Sequence, residues 1–253
     1  MKEDKKEHWQ SKLGFIMAAS GAAVGLGNIQ RFPYITAQFG GAAFVCLYLF
    51  CVLLIGLPLI LVEFSIGRHQ HKNPVDAIRS IHPKGIWHWA GGLGILTAFC
   101  ILSYYIVAAG WTLGYVLQMV TGEITSLEEF AADPYLVIPC VLSMLFISIF
   151  IVKQGIQSGI EKYSKILMPV LIFLLLVLVI RSLSLPNSWE GVKYYLYPDF
   201  SQLTPKAFLY ALSQAFFSLC VGEAVLITYG SYTSKSDNLI HSACYIALFD
   251  TLI

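Results

Sequence analysis

The sequence contains few charged residues. Only 12% of its 253 residues are Asp, Glu, Lys or Arg, whereas soluble domains carry about a quarter. Hydrophobic residues make up 57% of the chain instead. This balance predicts an integral membrane protein whose main surroundings are the lipid bilayer. The formal net charge of +1 argues against nucleic acid as a partner, since nucleic-acid binding depends on clustered positive charge.

The sequence also lacks paired cysteine motifs and a cleavable signal peptide. Its six cysteines lie in apolar stretches without the spacing of metal ligands, so we interpret them as reduced packing residues. The first twelve residues are highly charged, and the apolar stretch that follows is too long for a signal sequence and has no cleavage site. We therefore expect no disulfide framework, no cysteine-bound metal and no removed leader.

Long hydrophobic runs are abundant. A membrane-spanning helix needs about 20 apolar residues, and this criterion divides the chain into seven segments of one polytopic membrane domain, 1–253. The predicted spans are 13–37, 42–67, 87–120, 135–152, 164–184, 206–233 and, in part, 239–253. Because the seventh segment reaches Ile253 before it is long enough to span, we expect the domain to be incomplete.

Basic residues separate to one side of these segments. If the N-terminus is cytoplasmic, twelve of the sixteen Lys and Arg residues lie on the inner face. They are Lys2, Lys5, Lys6, Lys12, Arg68, Lys72, Arg79, Lys84, Lys153, Lys162, Lys165 and Lys235. Cytoplasmic loops of membrane proteins are enriched in Lys and Arg. The pattern therefore predicts a multi-pass protein of the plasma membrane with a cytoplasmic N-terminus.

Two of the apolar segments are interrupted. The first breaks around Gly21 to Gly27, with Asn28 and Arg31 beside the break, and the sixth carries Ser218, Gly222 and Glu223 in its middle. An unpaired backbone group in lipid costs several kcal/mol, so such breaks persist where they line a cavity or bind a ligand. Paired interruptions indicate a transporter site near the middle of the membrane. The alternative is that the glycines only let helices pack closely.

Three acidic residues lie within apolar segments: Glu63, Glu223 and Asp250. A carboxylate in a membrane needs a cation, a hydrogen-bond donor or a proton. For Glu63 we favour a helix-to-helix hydrogen bond that holds an unwound stretch open. Asp250 has no basic residue near it in the sequence, and a sodium ion would satisfy it.

Several motifs together resemble one family. They are EHW at 7–9, GLGNIQRFPY at 25–34, SIGR at 65–68, SYY at 103–105, WTLG at 111–114, MP at 168–169, YPDF at 197–200 and ITYGSY at 227–232. With these motifs the chain resembles the neurotransmitter:sodium symporter family, and in particular its bacterial LeuT-type amino-acid transporters, over essentially its whole length.

The resemblance implies an all-α membrane fold of about twelve helices, built from two inverted five-helix repeats and two further helices. This chain would supply the first repeat, helix 6 and the start of helix 7. The implied function is symport of sodium with an amino acid or a related small solute by alternating access. No enzyme activity is implied.

The resemblance also implies two sodium sites. The backbone carbonyls of Gly21 and Val24 would bind one ion. The carbonyl of Ala23 and the side chains of Asn28, Ser218 and Asp250 would bind the other. Asn28 has a second interpretation, as the cap of the half-helix that follows it.

The implied substrate site lies between the two breaks. The substrate carboxylate would meet the amides of Leu26 and Gly27 and the hydroxyl of Tyr105, and its ammonium would meet carbonyls of the sixth segment. The residues that would form the whole site are Ala23, Leu26, Gly27, Ile101, Tyr105, Phe217, Ser218, Cys220 and Glu223. Tyr105 is alternatively an ordinary buried tyrosine with a satisfied hydroxyl.

Gates and an anion site are implied at further positions. Arg31 resembles the outer gate, Lys6 and Trp9 resemble the inner gate, and Tyr229 would lie near them; Lys6 is alternatively a solvated tail residue. The positions that hold chloride in chloride-dependent members of the family are Tyr48, Gln214 and Ser218.

The chain departs from the family pattern at a few positions. Gln30 replaces a common tryptophan, Gln38 and Phe39 replace Glu-Asn, and Lys6 replaces an arginine. The sharpest departure is Glu223, where the family usually has an apolar residue. This carboxylate either selects a cationic or polar substrate, or titrates as a coupling group, or turns aside to pair with a neighbour.

Three alternatives to a sodium-coupled symporter follow from the same residues. A non-transporting truncated gene product would explain the end of the chain inside a helix. A proton-coupled carrier would use Glu223. An intramembrane enzyme would need two of the buried acids on one substrate, yet they lie on different predicted helices. The partners we expect are a small-molecule substrate and the bilayer, with the specific amino acid and the oligomeric state left open.

Overall fold

The structure, a computed structural model, describes residues 8–122 and 125–253, and the regular structure in these ranges is entirely helical. The α-helices are α1 (Lys12–Ala23), α2 (Phe32–Gln38), α3 (Ala42–Cys51), α4 (Leu57–Gln70), α5 (Pro74–Ile81), α6 (His88–Thr121), α7 (Leu127–Ala132), α8 (Pro134–Lys153), α9 (Lys162–Leu183), α10 (Ser188–Leu196), α11 (Pro205–Ser218), α12 (Val225–Gly230) and α13 (Leu239–Leu252). Gly27–Arg31, Val52–Gly56 and Ile156–Glu161 are π-helical, and Phe200–Gln202 is a 3₁₀ turn.

Side-chain caps set where several helices begin. Ser11 accepts a hydrogen bond from the amide of Gly14 at the start of α1, and Thr204 and Asn238 do the same for α11 and α13. The first amides of a helix have no intrahelical partner, so an oxygen at the N-cap replaces it. The starts of these three helices are therefore defined locally, and α1 and α11 each end at one of the two interruptions.

Membrane-length helices are present in the described ranges. Four continuous stretches are long and apolar enough to cross a bilayer, and a fifth is added if α1 and the bent segment after it count as one span. The four stretches are Ala42–Gln70, His88–Thr121, Pro134–Lys153 and Ile156–Leu183. The predicted sixth span consists of α11 and α12, and α13 has 14 residues. The bounds of the spans in a bilayer stay a prediction.

The buried core lies where the interrupted segments meet their neighbours. The residues that are completely or almost completely buried include Phe15 of α1, Phe44 of α3, Phe64 of α4, Leu219 at the end of α11, and Ile246 of α13. By contrast α6, α8 and α9 expose many large apolar side chains, as expected of helices that face lipid. The interrupted segments therefore form the interior of the described molecule, and the uninterrupted helices form much of its periphery.

Glycines allow α4 and α12 to pack backbone against backbone. A Cβ added at Gly67 would overlap the carbonyl of Ile227, and one added at Gly230 would lie 2.7 Å from the carbonyl oxygen of Phe64. Small residues permit such close approach of helices in membranes. This contact holds the helix that follows the second interruption against α4.

The two interruptions differ in conformation. The first covers Val24 to Leu26, between α1 and the π-helical turn, and the chain bends by 52° there. It is shorter than the predicted stretch from Gly21, because Gly21 still lies in the last turns of α1 among residues that keep helical geometry. The second covers 219–224 and has positive φ angles at Cys220 (53°), Gly222 (85°) and Ala224 (60°).

Candidate functional site

A buried polar cluster joins the first interruption to α11 and α13. The side-chain amide nitrogen of Asn28, Nδ2, lies 2.8 Å from Oδ1 of Asp250 and 3.1 Å from Oγ of Ser218. The Ser218 hydroxyl lies 2.7 Å from both carboxylate oxygens of Asp250, and the Tyr48 hydroxyl donates to Oδ2 at 3.3 Å. We call Asn28, Tyr48, Ser218 and Asp250 the polar cluster.

Donors surround the carboxylate of Asp250, although no described cation pairs with it. Asp250 is 1% exposed and, within residues 8–122 and 125–253, forms no ion pair. A buried carboxylate is stable only when hydrogen bonds or a cation compensate its lost hydration. The hydroxyl and amide donors supply part of this compensation. The oxygens that converge here are also the ligands that hard cations prefer.

Backbone carbonyls at the first interruption are left without intrahelical donors. The amide of Val24 closes the last helical bond to Ser20, and the chain then becomes extended. The last carbonyls of a helix have no partner within it. Those of Gly21, Ala23 and Val24 are of this kind, and they lie at the end of α1 that approaches the polar cluster.

Side chains hold the open loop in shape. Oδ1 of Asn28 accepts from the amide of Gly25 at 3.3 Å, so Asn28 caps the loop while its amide nitrogen bonds Asp250. From α11, Nε2 of Gln214 donates to the carbonyl of Gly27 at 3.0 Å. The interpretation of Asn28 as the cap of the half-helix that follows it is wrong, because Leu26 is the N-cap there without a side-chain hydrogen bond and Asn28 accepts from Gly25 upstream.

A cavity of about 700 Å³ lies between the two interruptions and α6. Seven of the predicted substrate-site residues line it: Ala23, Leu26, Ile101, Tyr105, Phe217, Cys220 and Glu223. Gly21 and Val24 also line it. Gly27 packs behind Phe217, where a Cβ would come within 2.8 Å of the ring, and Ser218 belongs to the polar cluster. The structure therefore separates the predicted residues into one cavity and one adjoining cluster.

Glu63 and Glu223 meet at the second interruption. Oε1 of Glu63 in α4 accepts from the amide of Gly222 at 2.7 Å, which is the hydrogen bond expected from the sequence. The next residue, Glu223, is part of the cavity wall and is 8% exposed. It forms no ion pair with a described residue. Two carboxylates thus flank one peptide unit of the unwound segment.

Trp9 and Arg31, the described residues predicted for the inner and outer gates, each contact an aromatic ring. At the start of α1, Nε1 of Trp9 donates to the carbonyl of Tyr229 at 3.1 Å, and the two rings are 5.4 Å apart. Beyond the first interruption, the Arg31 guanidinium lies 5.2 Å above the ring of Phe217. Lys6 lies outside the described residues. The two aromatic contacts lie on opposite sides of the first interruption.

One residue with many contacts was missed by the sequence analysis. Glu161 is 1% exposed, accepts from the amide of Gln10 at 2.8 Å and from the Ser11 hydroxyl at 3.0 Å, and pairs with Lys165 at 2.6 Å. A Cβ added at Gly14 would overlap this carboxylate. The signal in the sequence is an acid four residues before a lysine at the start of an apolar run.

Comparisons with known proteins agree with this geometry. A sequence model of the sodium:neurotransmitter symporter family matches residues 6–129 and 132–253. YhdH of Bacillus subtilis, a sodium-dependent transporter, is 38% identical over 100% of this chain. The human sodium- and chloride-dependent GABA transporter 2 is 27% identical over 95% of the chain. The crystal structure of MhsT in complex with L-phenylalanine superposes with a TM-score of 0.89 at 44% identity, over 97% of the chain.

The coverage of these relatives is partial. The chain spans 58% of YhdH, 47% of the human GABA transporter and 58% of MhsT. The matching part carries both interruptions, the polar cluster and the cavity.

Proposed function

Because the chain belongs to the sodium:neurotransmitter symporter family, we propose that it carries the main binding elements of a sodium-coupled amino-acid symporter that works by alternating access. Its family consists of transporters rather than enzymes, and its fold is the predicted all-α LeuT-type fold. The observation that supports the proposal best is the meeting of two interrupted helices at one polar cluster and one cavity.

Two sodium ions are the proposed coupling ions. One is bound by the carbonyls of Gly21 and Val24, and the other by the carbonyl of Ala23 with the side chains of Asn28, Ser218 and Asp250. In support, the three side chains already lie within hydrogen-bond distance of one another. Carbonyl, hydroxyl and carboxylate oxygens are hard ligands of the kind that such a cation needs. The side chain of Asn28, whose Oδ1 accepts from Gly25 and whose Nδ2 donates to Asp250, would turn its oxygen toward the ion.

The proposed substrate is an amino acid in the 700 Å³ cavity. Its carboxylate meets the amides near Leu26 and Gly27 and the Tyr105 hydroxyl, and its ammonium meets carbonyls of Phe217, Ser218 and Cys220. The amides start one half-helix, where partial positive charge favours an anion, and the carbonyls end another, where a cation is favoured. The L-phenylalanine bound to the relative MhsT supports this class of substrate.

Coupling follows from shared elements. Ala23 carries a proposed sodium ligand and lines the cavity, and Ser218 ends the half-helix whose carbonyls meet the substrate. Binding of the ion orders the same interrupted segments that the substrate must contact. The ion therefore shifts the conformational equilibrium toward the state that binds substrate, and the substrate does the same for the ion.

The gates and the orientation belong to the same proposal. Arg31 closes the outer side over Phe217, while Lys6, Trp9 and Tyr229 close the inner side, with the N-terminus in the cytoplasm and the chain in the plasma membrane. The distribution of Lys and Arg supports this orientation, and the contacts of Arg31 with Phe217 and of Trp9 with Tyr229 support two separate closures.

We propose Tyr48, Gln214 and Ser218 as the positions where a chloride ion would bind. The hydroxyls of Tyr48 and Ser218, which would hold an anion, both bond the carboxylate of Asp250. Because Asp250 is also a proposed sodium ligand, the repulsion between its carboxylate and a chloride depends on whether sodium is bound.

Equilibrium binding of radiolabelled amino acids in sodium and in potassium tests the proposal. The 253-residue chain and a form extended to the next in-frame stop codon are both purified, and their folding is checked by size-exclusion chromatography and thermal melting. We expect sodium-dependent binding by at least one form. Its absence from both folded forms contradicts the proposal and favours the non-transporting or proton-coupled alternative. Uptake driven by a pH gradient alone, in reconstituted vesicles, identifies the latter.

A further inference from the structure

The cavity between the two interruptions carries a single formally charged side chain. Among the described residues, Glu223 is the only Asp, Glu, Lys, Arg or His in its wall. Most of the remaining wall is apolar, and it includes Ile101, Leu102, Leu113, Val116, Met144 and Phe217. A carboxylate in such surroundings is costly unless a partner of opposite charge or a donor compensates it. The wall therefore contains a group that needs a partner.

The described neighbours do not provide that cation. Glu223 forms no ion pair in the described ranges, and Arg31 places its guanidinium over Phe217 at 5.2 Å and donates to Ser213 at 3.4 Å. The nearest ionisable group along α4 is Glu63, which bonds the amide of Gly222 and adds a like charge. The thiol of Cys220, which lines the same cavity, donates to the carbonyl of Ala22 at 3.3 Å, and thiols are weak donors.

Aromatic rings complete a setting that favours a cation. Tyr105 and Phe217 both line the cavity, with ring centroids 6.2 Å apart. The faces of aromatic rings attract ammonium and guanidinium groups, and the attraction is larger where water is excluded. Because Arg31 already lies over Phe217 at 5.2 Å, the carboxylate of Glu223 and the ring of Tyr105 are the groups in this wall that fit the end of a positively charged side chain better than an apolar one.

From these observations we infer that Glu223 makes the carrier selective for amino acids whose side chain ends in a positive charge, such as arginine or lysine. The inference rests on the proposed function. The α-ammonium group of the substrate is assigned to the carbonyls that end α11, so Glu223, five residues beyond Ser218, is free to bind a second cation. A neutral side chain of the same shape would leave the carboxylate unpaired, and this is the basis of discrimination.

Competition between matched amino acids tests the inference. Sodium-dependent binding of L-[³H]arginine is measured on whichever form of the protein binds, with L-citrulline as the neutral analogue of arginine and L-norleucine as that of lysine. We expect the charged member of each pair to bind about tenfold tighter or more. In Glu223→Gln, which keeps size and polarity but removes the charge, we expect the preference to fall to about threefold or less.

Two control variants separate charge in the cavity from general effects on the second interruption. Glu223→Asp keeps the charge, so the preference for arginine is retained even if the affinity falls. Glu63→Gln removes the other carboxylate at Gly222, and we expect arginine and citrulline to weaken together, so that their ratio stays unchanged. Thermal melting identifies any variant that does not fold, and the ratio measured on the unmodified protein decides the question without variants.

Each outcome has a defined meaning. Sodium-dependent binding in which the neutral analogues equal or exceed arginine and lysine overturns the inference and leaves the proposed symporter standing. An unchanged arginine preference in folded Glu223→Gln also overturns it, because the selectivity then has another source. Folded protein that binds none of these amino acids and no neutral amino acid in sodium overturns the proposed function, and the inference falls with it.

Discussion

Asp250 and Glu223 are both buried carboxylates beside interrupted helices, but their surroundings differ. Asp250 lies in the polar cluster and accepts hydrogen bonds from Asn28, Ser218 and Tyr48. Glu223 lies in the wall of an apolar cavity, where the neighbouring Cys220 thiol donates to the carbonyl of Ala22 instead. Their exposed fractions, 1% and 8%, are similar. Burial therefore does not distinguish the two acids, whereas their donors do.

The difference shows two ways in which a membrane protein keeps an acid inside. A carboxylate that is surrounded by fixed donors is part of the folded structure, and its removal leaves several buried groups unsatisfied. A carboxylate in a cavity with few donors contributes little to folding, and a bound ligand can supply the charge partner that the protein does not. Opposite effects of substitution on stability are the expected consequence.

The largest effect is expected when the polar cluster loses its acid. In Asp250→Leu the Asn28 amide, the Ser218 hydroxyl and the Tyr48 hydroxyl lose an acceptor, and at about 1 kcal/mol each the free energy of unfolding should fall by about 3 kcal/mol. Sodium-dependent stabilisation should disappear as well. Thermal melting in sodium and in potassium measures both. A variant that is as stable as the unmodified protein and still responds to sodium would contradict the assignment of Asp250.

The same substitution at Glu223 should change the free energy of unfolding in the opposite direction. Glu223→Leu replaces an uncompensated buried charge with an apolar side chain, and we expect the protein without substrate to gain stability by about 2 kcal/mol. The comparison with Asp250→Leu is made in the same melting experiment. If Glu223→Leu destabilises as strongly as Asp250→Leu, then Glu223 has structural partners and the contrast between the two acids is wrong.

A smaller effect is expected at the boundary between cluster and cavity. In Gly27→Ala the added Cβ would come 2.8 Å from the Phe217 ring, so the ring must shift within the cavity wall. We expect amino-acid affinity to fall roughly tenfold, which corresponds to about 1.4 kcal/mol. Gly92→Ala in α6 is the control, since an added Cβ there meets nothing within 4 Å. Equal binding by the two variants would argue against Phe217 as part of the site.

The smallest effect is expected far from both acids. Ser11 caps α1 and donates to Glu161 at 3.0 Å. Ser11→Ala should therefore lower the free energy of unfolding by about 1 kcal/mol without changing the arginine-to-citrulline ratio. Melting curves and the competition assay report the two quantities separately. A changed ratio would mean that the start of α1 is coupled to selectivity in the cavity.

The sequence predicted the interruptions better than their conformation. The glycines of the first and sixth segments, with Asn28 and Glu223, indicated two breaks, and both are present. The positive φ of Ala224 was not predicted, because it lies in the left-handed region that alanine rarely adopts. It occurs where the chain packs against α6, since a Cβ added at Gly94 would come within 2.9 Å of the Cβ of Ala224. Tertiary packing thus overrides a local preference at this position.

For a similar reason, the sequence predicted the residues that line the cavity but not the contacts of Glu161. Most residues assigned to the substrate by family resemblance line one cavity, while their roles stay proposals. The contact of Glu161 with Gln10 and Ser11 was missed, since it joins residues 150 and 151 positions apart. An acid before an apolar run has several local explanations, and its real partner depends on how α1 and α9 pack.

Sequence alone determined that this chain is a helical membrane protein with two interrupted segments. The reason is local, since lipid offers no partner to the backbone and only apolar runs and their breaks decide which residues are helical. Only the tertiary structure decided which buried acid is compensated. Asn28 reaches Asp250 across 222 residues of sequence, whereas Glu223 faces a cavity. Side-chain contacts between helices depend on packing in three dimensions, which no local pattern of residues specifies.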